Sequence, residues 1–89
     1  MAYQSTNPYD GKVFASFEEI DDGQLEAKLH TATECFEKQW RDTSFGERKA
    51  VLARAAALMR ERSKELAEYA TLEMGKLIAQ SQGEVALSA

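Results

Sequence analysis

The sequence predicts a mainly α-helical chain that opens with a β-hairpin. Three observations support this fold class: alternating apolar residues near the amino terminus, apolar residues at helical spacing afterwards, and a single proline among 89 residues. A chain of this length has room for one small domain. Two independently folded domains are therefore not expected.

The hairpin is predicted over residues 3–17. Pro8 pushes the residue before it out of the helical region, and Gly11 can adopt a positive φ, so the turn is expected between them. Val13 and Phe17 occupy alternate positions of a strand that has one covered face. Because a two-stranded ribbon is only marginally stable in water, the hairpin needs another element to pack on.

Four helices are predicted after the hairpin, because apolar residues recur there every three or four positions. Ser44 and Glu47 have the spacing of a capping box, which starts a helix. Gly75 is placed to end another helix in the left-handed conformation. Arg62 falls on an apolar face, and since burying an unpaired charge is costly, a kink or restart is expected there. The predicted helices cover residues 22–41, 44–61, 63–74 and 77–89.

Apolar stripes on the first and last helices predict surfaces that other polypeptide covers. On the first helix the stripe runs from Leu25 to Trp40 at helical spacing. On the last helix Ile78 and Val85 belong to a stripe that is still unfinished at Ala89. The chain therefore ends inside a helical pattern rather than after one.

Charge, cysteine content and hydropathy limit the classes of function. Eleven basic and fifteen acidic residues give a net charge of -4, which provides no positive field for nucleic acid. One cysteine cannot form an internal disulfide, and no Cys/His cluster has metal-ligand spacing. No apolar run reaches the roughly 18 residues that span a bilayer, and the amino terminus lacks an export signal. We therefore expect a cytoplasmic protein that binds neither nucleic acid nor membrane.

The pair Gly75-Lys76 raises the question of a phosphate site. A Walker loop needs two glycines separated by four residues, then Lys and Ser or Thr, between a strand and a helix. Lys76 is followed by Leu77, no glycine stands five positions before Gly75, and the preceding segment is helical. We interpret the pair as a corner, with Lys76 close to the negative end of a helix.

The other reactive side chains do not form a catalytic set in the sequence. Cys35 lies at the edge of an apolar stripe without a neighbouring base, and we interpret it as a packing residue. His30 lies away from the stripe and is expected on the surface. Glu73 and Glu84 could share a face only if one helix continued through Gly75. No catalytic, cofactor-binding or metal-binding residue is therefore predicted in this chain.

The order of these motifs resembles the amino-terminal part of aldehyde dehydrogenases. The sequence Thr71-Leu-Glu-Met-Gly-Lys76 is most similar to the corresponding segment of bacterial succinate-semialdehyde dehydrogenases. Relatives commonly have proline after the Gly-Lys pair, where this chain has Leu77, so the corner is less firmly set from sequence. The remaining motifs that carry the resemblance are Asn7-Pro8, Asp10-Gly-Lys12, Ala32-x-x-x-Phe36-x-x-x-Trp40-Arg41, Phe45-Gly-Glu-Arg48 with Leu52, Ala55 and Leu58, Glu65-Leu-Ala67 and Gly83-Glu84.

The resemblance implies an α/β fold in which residues 1–89 form an incomplete amino-terminal portion of a Rossmann-like cofactor-binding domain. It implies a full-length enzyme that oxidises an aldehyde, with succinate semialdehyde as one candidate, to the carboxylic acid with NAD or NADP. In the family a cysteine attacks the aldehyde and a glutamate activates water, and both lie downstream of the matched region. Cys35 does not occupy the nucleophile motif, and Glu73-Met-Gly-Lys76 only superficially echoes that of the base.

These implications define the partners that we expect. The segment alone is expected to be inactive and to bind no cofactor. Its partners are then the remainder of the same polypeptide and, in the full-length enzyme, further copies in a homo-oligomer. The alternative is a free-standing helical interaction module, whose stripe from Leu25 to Trp40 would bind another protein.

Overall fold

The computed structural model describes residues 2–89, which form two strands followed by four helices. The predicted fold class, a mainly helical chain with an amino-terminal hairpin, is confirmed. The strands are β1 (Tyr3–Thr6) and β2 (Val13–Phe17). The helices are α1 (Asp22–Cys35), α2 (Phe45–Glu61), α3 (Ser63–Met74) and α4 (Ile78–Ser88), and a π-helical turn over Phe36–Trp40 extends α1.

The hairpin turns where the sequence predicts, and β1 pairs with β2 in antiparallel register. Gly11 has a φ of 70°, and its N–H donates to the Asn7 carbonyl at 2.8 Å. The Asn7 N–H donates to the Lys12 carbonyl at 2.9 Å. The Asn7 side-chain oxygen also accepts from the Tyr9 N–H at 2.9 Å, the hydrogen bond of an Asx turn. The loop is therefore closed by its own backbone and by Asn7.

Capping boxes start α1 and α2. The Asp21 carboxylate accepts from the Gln24 N–H at 2.7 Å, and the Gln24 side chain accepts from the Asp21 N–H at 2.9 Å. The Ser44 hydroxyl accepts from the Glu47 N–H at 3.1 Å, and the Glu47 carboxylate accepts from the Ser44 N–H at 2.7 Å. Each box satisfies two donors that the helix itself leaves without partners. The Ser44–Glu47 box is the one that the sequence predicts.

The helical run restarts at Arg62, also as predicted. Arg62 has φ −104° and ψ 20°, so it separates α2 from α3. Its guanidinium stays at the surface and donates from Nε and Nη2 to the two oxygens of Glu65, at 3.0 and 2.9 Å. The break therefore keeps this charge in water and gives it a bidentate partner.

The packed core is small and lies between α3 and α4. Among residues 2–89, Ala67 on α3 and Ser81 on α4 are the two buried ones. The helix α2 packs on both α3 and α4, and β1 packs on α3. In contrast, α1 contacts only its own π-helical turn in this part of the chain. The structure therefore consists of a packed body, which comprises the hairpin, α2, α3 and α4, and a projecting helix, α1.

The described chain is flat, with principal extents of 47 × 35 × 14 Å and a radius of gyration of 17.4 Å. A compact domain of 89 residues would have a radius of gyration of about 12 Å. The accessible surface is 7447 Å², compared with about 5200 Å² for a compact protein of this size. The difference, about 2200 Å², is surface that a compact protein would have buried.

Candidate functional site

The corner at Gly75 joins α3 to α4, and the hairpin loop packs against it. Gly75 is left-handed, with φ 70° and ψ 19°, and its N–H donates to the Thr71 carbonyl at 2.9 Å. A Cβ atom at this position would lie 3.0 Å from Cγ of Pro8. Glycine is therefore favoured both by its backbone conformation and by the space available. The prediction that Gly75 ends a helix is confirmed.

One hydrogen bond connects the two helices close to this corner. The hydroxyls of Thr71 on α3 and Ser81 on α4 are 2.9 Å apart. Ser81 is fully buried, so its hydroxyl has to find a partner within the protein. The pair Thr71–Ser81 therefore satisfies a polar group in the core and also sets the register of α3 against α4.

Lys76 takes part in an ion pair at the corner. Its Nζ contacts the carboxylate of Glu84, in the second turn of α4. Both side chains are more than a third exposed, so the pair contributes at most about 1 kcal/mol. A phosphate at this corner would have to compete with the Glu84 carboxylate for the same ammonium group. The surroundings of Lys76 therefore support the structural interpretation of the Gly75-Lys76 pair.

A shallow depression of about 360 Å³ lies beside the corner, between the hairpin loop and the start of α4. Tyr9, Leu72 and Leu77 contribute apolar surface to its walls. Three polar side chains at its edge already have partners, since Asn7 accepts from the Tyr9 N–H, Thr71 bonds Ser81 and Lys76 bonds Glu84. The depression thus offers no convergent set of free polar groups that would fix a small ligand.

Cys35 and His30 are not joined by a hydrogen bond within residues 2–89. Cys35 is exposed near the end of α1, so the expected packing role is wrong within residues 2–89, because no element covers that helix. His30 is 74% exposed at its side chain, as predicted, and its Nε2 lies 3.6 Å from Glu34. Within the described range, no cluster of three or more His, Cys, Asp or Glu side chains could hold a metal.

The most extensive feature of the chain is exposed apolar surface. We define the α1 stripe as Leu25, Leu29, Phe36 and Trp40, whose exposed fractions lie between 38% and 53%. On the hairpin, Val13 and Phe17 are also about half exposed, so the predicted covered face is open here. Exposed apolar side chains grouped in this way are typical of surfaces at which a protein contacts another molecule. None of the helices in residues 2–89 has the length and hydropathy to cross a membrane.

Comparison with known proteins places this architecture in a family. The profile of the aldehyde dehydrogenase family matches residues 1–89. The chain belongs to the aldehyde dehydrogenase family. A solved structure described as "Structural insights into cofactor and substrate selection by Gox0499" superposes with a TM-score of 0.90 and 28% identity, over 97% of this chain and 19% of that one. The resemblance and the fold expected from it are therefore confirmed.

Two relatives show how much of such a protein the segment represents. It is 39% identical over 87 residues to the succinate-semialdehyde dehydrogenase (NADP(+)) of Deinococcus radiodurans, covering 98% of this chain and 18% of that protein. It is 33% identical over 79 residues to the mitochondrial methylmalonate-semialdehyde/malonate-semialdehyde dehydrogenase (acylating) of Homo sapiens, covering 89% and 15%. This aldehyde dehydrogenase segment thus spans less than a fifth of the length of these relatives.

The family implies a nicotinamide cofactor, and the described residues do not fit one. A dinucleotide site places the pyrophosphate on a glycine-rich turn that leads from a parallel strand into a helix. Here β2 is antiparallel to β1, and the amino terminus of the next helix, α1, is capped by the carboxylate of Asp21. That negative charge would repel a phosphate group. We therefore assign no cofactor contact to residues 2–89.

Proposed function

We propose that this chain is the amino-terminal part of an NAD(P)-dependent aldehyde dehydrogenase that oxidises an aldehyde to a carboxylic acid. The observation that carries the proposal is the 39% identity, over 98% of this chain, to an enzyme named for succinate semialdehyde and NADP(+). Succinate semialdehyde is therefore the first candidate substrate. Methylmalonate and malonate semialdehydes come second, because the human relative is named for them.

The segment's own role in this proposal is structural. Its accessible surface exceeds that of a compact protein by about 2200 Å², which is larger than the roughly 800 Å² that each partner contributes to a standard interface. We propose that the remainder of the same polypeptide covers this surface. The complete enzyme is then a homo-oligomer in the cytoplasm, in keeping with a chain that has a single, exposed cysteine.

The same exposed surface would also serve a free-standing interaction module. The comparisons favour cover by the same chain, because nearly all of this segment aligns with less than a fifth of a much longer relative. A free-standing module would be supported if the isolated chain were monomeric, unfolded cooperatively, and captured a second protein with defined stoichiometry. Aggregation of the isolated chain together with a soluble complete polypeptide would count against it.

The test uses the complete polypeptide that contains these residues. Formation of NADH or NADPH is measured with NAD and with NADP in turn. The aldehydes tested are succinate semialdehyde, malonate semialdehyde and, as a control, a neutral aliphatic aldehyde. We expect turnover with succinate semialdehyde to exceed turnover with the neutral control. Absence of turnover with every aldehyde and both cofactors would overturn the proposed activity.

A separate assay tests the inactivity of the segment. The purified 89-residue chain is mixed with the same aldehydes and cofactors, and we expect no reduced nicotinamide to form. This expectation is supported by the exposed position of Cys35 and by the contact of His30 with Glu34 rather than with that thiol. Turnover by the isolated chain would show that a catalytic site lies within it.

A further inference from the structure

A polar network joins the projecting helix to the body. We define the arm as residues 22–40, which comprise α1 and its π-helical turn, and residues 41–44 connect the arm to α2. Arg48, in the first turns of α2, reaches back across this connection. Its Nη2 donates to the carbonyl oxygens of Trp40 at 2.9 Å and Arg41 at 3.3 Å, and its guanidinium lies 5.2 Å from the centroid of the Trp40 ring.

Thr43 completes the network between Arg48 and the end of the arm. Nε of Arg48 donates to the Thr43 hydroxyl at 2.8 Å, and that hydroxyl donates to the Trp40 carbonyl at 2.7 Å. Both side chains are partly buried. Carbonyl groups at the end of a helix have no partner within it, and here a charged, planar donor supplies one. The hydrogen bonds from the Arg48 guanidinium, the bond from the Thr43 hydroxyl and the contact between Arg48 and the Trp40 ring together favour one orientation of the arm relative to α2.

Apart from this network, the connection contains a backbone hydrogen bond from the Thr43 N–H to the Trp40 carbonyl at 3.2 Å, and Ser44 is held by its capping box with Glu47. Within residues 2–89, α1 packs on neither the hairpin nor the other helices. A connection of four residues without the network would leave several backbone dihedrals free, and fixing them later costs conformational entropy. The α1 stripe lies on the arm and remains exposed, so the direction of the arm determines where that stripe is presented.

We propose that Arg48 is a positioning residue that fixes the arm before the remainder of the polypeptide docks on the α1 stripe. This inference rests on the proposed function, since the occupant is the rest of the same aldehyde dehydrogenase chain. That occupant is favoured by the uncovered surface of about 2200 Å² and by the four-fifths of each relative that lie outside the matched region. An arm held in advance docks with a smaller entropic cost than one that must be ordered on contact.

The experiment follows refolding of the complete polypeptide from urea by pulsed hydrogen exchange, read by mass spectrometry. Arg48→Met removes the donors and the charge while keeping a long side chain. Arg48→Lys keeps the charge but lacks the planar set of N–H donors of the guanidinium. Lys49→Met is the matched control, because it removes the neighbouring charge outside the network. We expect protection of the α1 amides to be delayed by about tenfold or more in Arg48→Met, because the loss of even one of its charge-assisted hydrogen bonds would predict a tenfold effect.

Comparing the protection rates of the individual helices distinguishes a positioning role of Arg48 from a general contribution to stability. We expect an intermediate delay in Arg48→Lys, the wild-type rate in Lys49→Met, and unchanged protection of α3 and α4 in every variant. Wild-type protection of α1 in Arg48→Met, or an equal delay in all four helices, would overturn the proposal. If Arg48→Met does not refold, Thr43→Val tests the hydroxyl link by the same criteria. Exchange does not depend on turnover, so an inactive wild-type enzyme would contradict the proposed function and leave this readout intact.

Discussion

At position 75, the backbone conformation and the space beside Pro8 each disfavour a side chain. Its φ of 70° disfavours other residues, and an added Cβ would approach Cγ of Pro8 to 3.0 Å. We expect Gly75→Ala to lower the free energy of unfolding by about 2 kcal/mol, because the left-handed conformation alone costs about 1–2 kcal/mol. The measurement is the urea midpoint followed by circular dichroism.

Two other glycines serve as controls for Gly75→Ala. Gly11 has the same φ of 70° with open space around it, so Gly11→Ala isolates the backbone term at about 1 kcal/mol. Gly83 lies inside α4, also with open space, and Gly83→Ala should stabilise the protein by about 0.5–1 kcal/mol. Equal midpoint shifts for Gly75→Ala and Gly11→Ala would show that the contact with Pro8 carries no energy.

The hydrogen bond between Thr71 and Ser81 is suited to a double-mutant cycle. Thr71→Val or Ser81→Ala removes one hydroxyl and leaves the other without its partner, at an expected cost of about 1 kcal/mol each. The double variant removes both, so its loss should be smaller than the sum of the two single losses. Strictly additive losses in the free energy of unfolding would mean that the two hydroxyls do not interact in solution.

The junction between α2 and α3 has a predictable pH dependence. The hydrogen bond from Arg62, followed by its positive charge, lowers the pKa of Glu65. A carboxyl whose pKa is lowered on folding stabilises the fold above its ordinary pKa, about 4.3, and this contribution is lost as the pH falls through the folded-state value. We expect the amides at the start of α3 to lose protection in acid, as measured by hydrogen exchange.

The partner in this ion pair shifts in the opposite direction. The same hydrogen bond raises the pKa of Arg62, and since the guanidinium is protonated throughout the ordinary range, its contribution is present at every pH below its usual value. Glu65→Gln should therefore remove the acid dependence of the junction. Glu68→Gln, on the same helix, is the control for loss of one negative charge. An unchanged acid profile in Glu65→Gln would assign the dependence to other groups.

Structural features that depend on residues within one or two helical turns of each other were predicted correctly from the sequence. The capping box at Ser44 and Glu47 involves residues three apart, and the stop at Gly75 is a property of one residue. The restart at Arg62 follows from the cost of burying its charge. These features depend on local chemistry, so a single sequence contains enough information to place them.

Contacts between elements were not predicted. Pro8 lies against Gly75, Thr71 bonds Ser81 across two helices, and Arg48 bonds the end of the preceding helix. Which side chains meet in these cases depends on the arrangement of the elements, which hydropathy patterns do not specify. The π-helical turn was also missed, because the spacing of four from Phe36 to Trp40 is equally compatible with an ordinary α-helix.

At the scale of the whole molecule, the body and the arm differ in what stabilises them. The body has a small core around Ala67 and Ser81, whereas the arm has capping and the Arg48 network without packing. Hydrophobic burial is the largest favourable term in folding, and the described residues use little of it on the arm. The stability of the arm should therefore depend on polypeptide that covers the α1 stripe.

This dependence is tested by placing the same charge on two faces of the arm. Leu29 belongs to the α1 stripe and is 53% exposed, and the side chain of His30 next to it is 74% exposed. In the isolated chain, Leu29→Glu and His30→Glu should both change the helical circular dichroism only slightly, because both positions already face water. In the complete polypeptide, Leu29→Glu should lower the free energy of unfolding by more than about 2 kcal/mol, because it removes a buried leucine and buries a charge. His30→Glu should cost only a few tenths of a kcal/mol in either context, so a similarly small effect of Leu29→Glu in the complete polypeptide would mean that the stripe faces solvent there too.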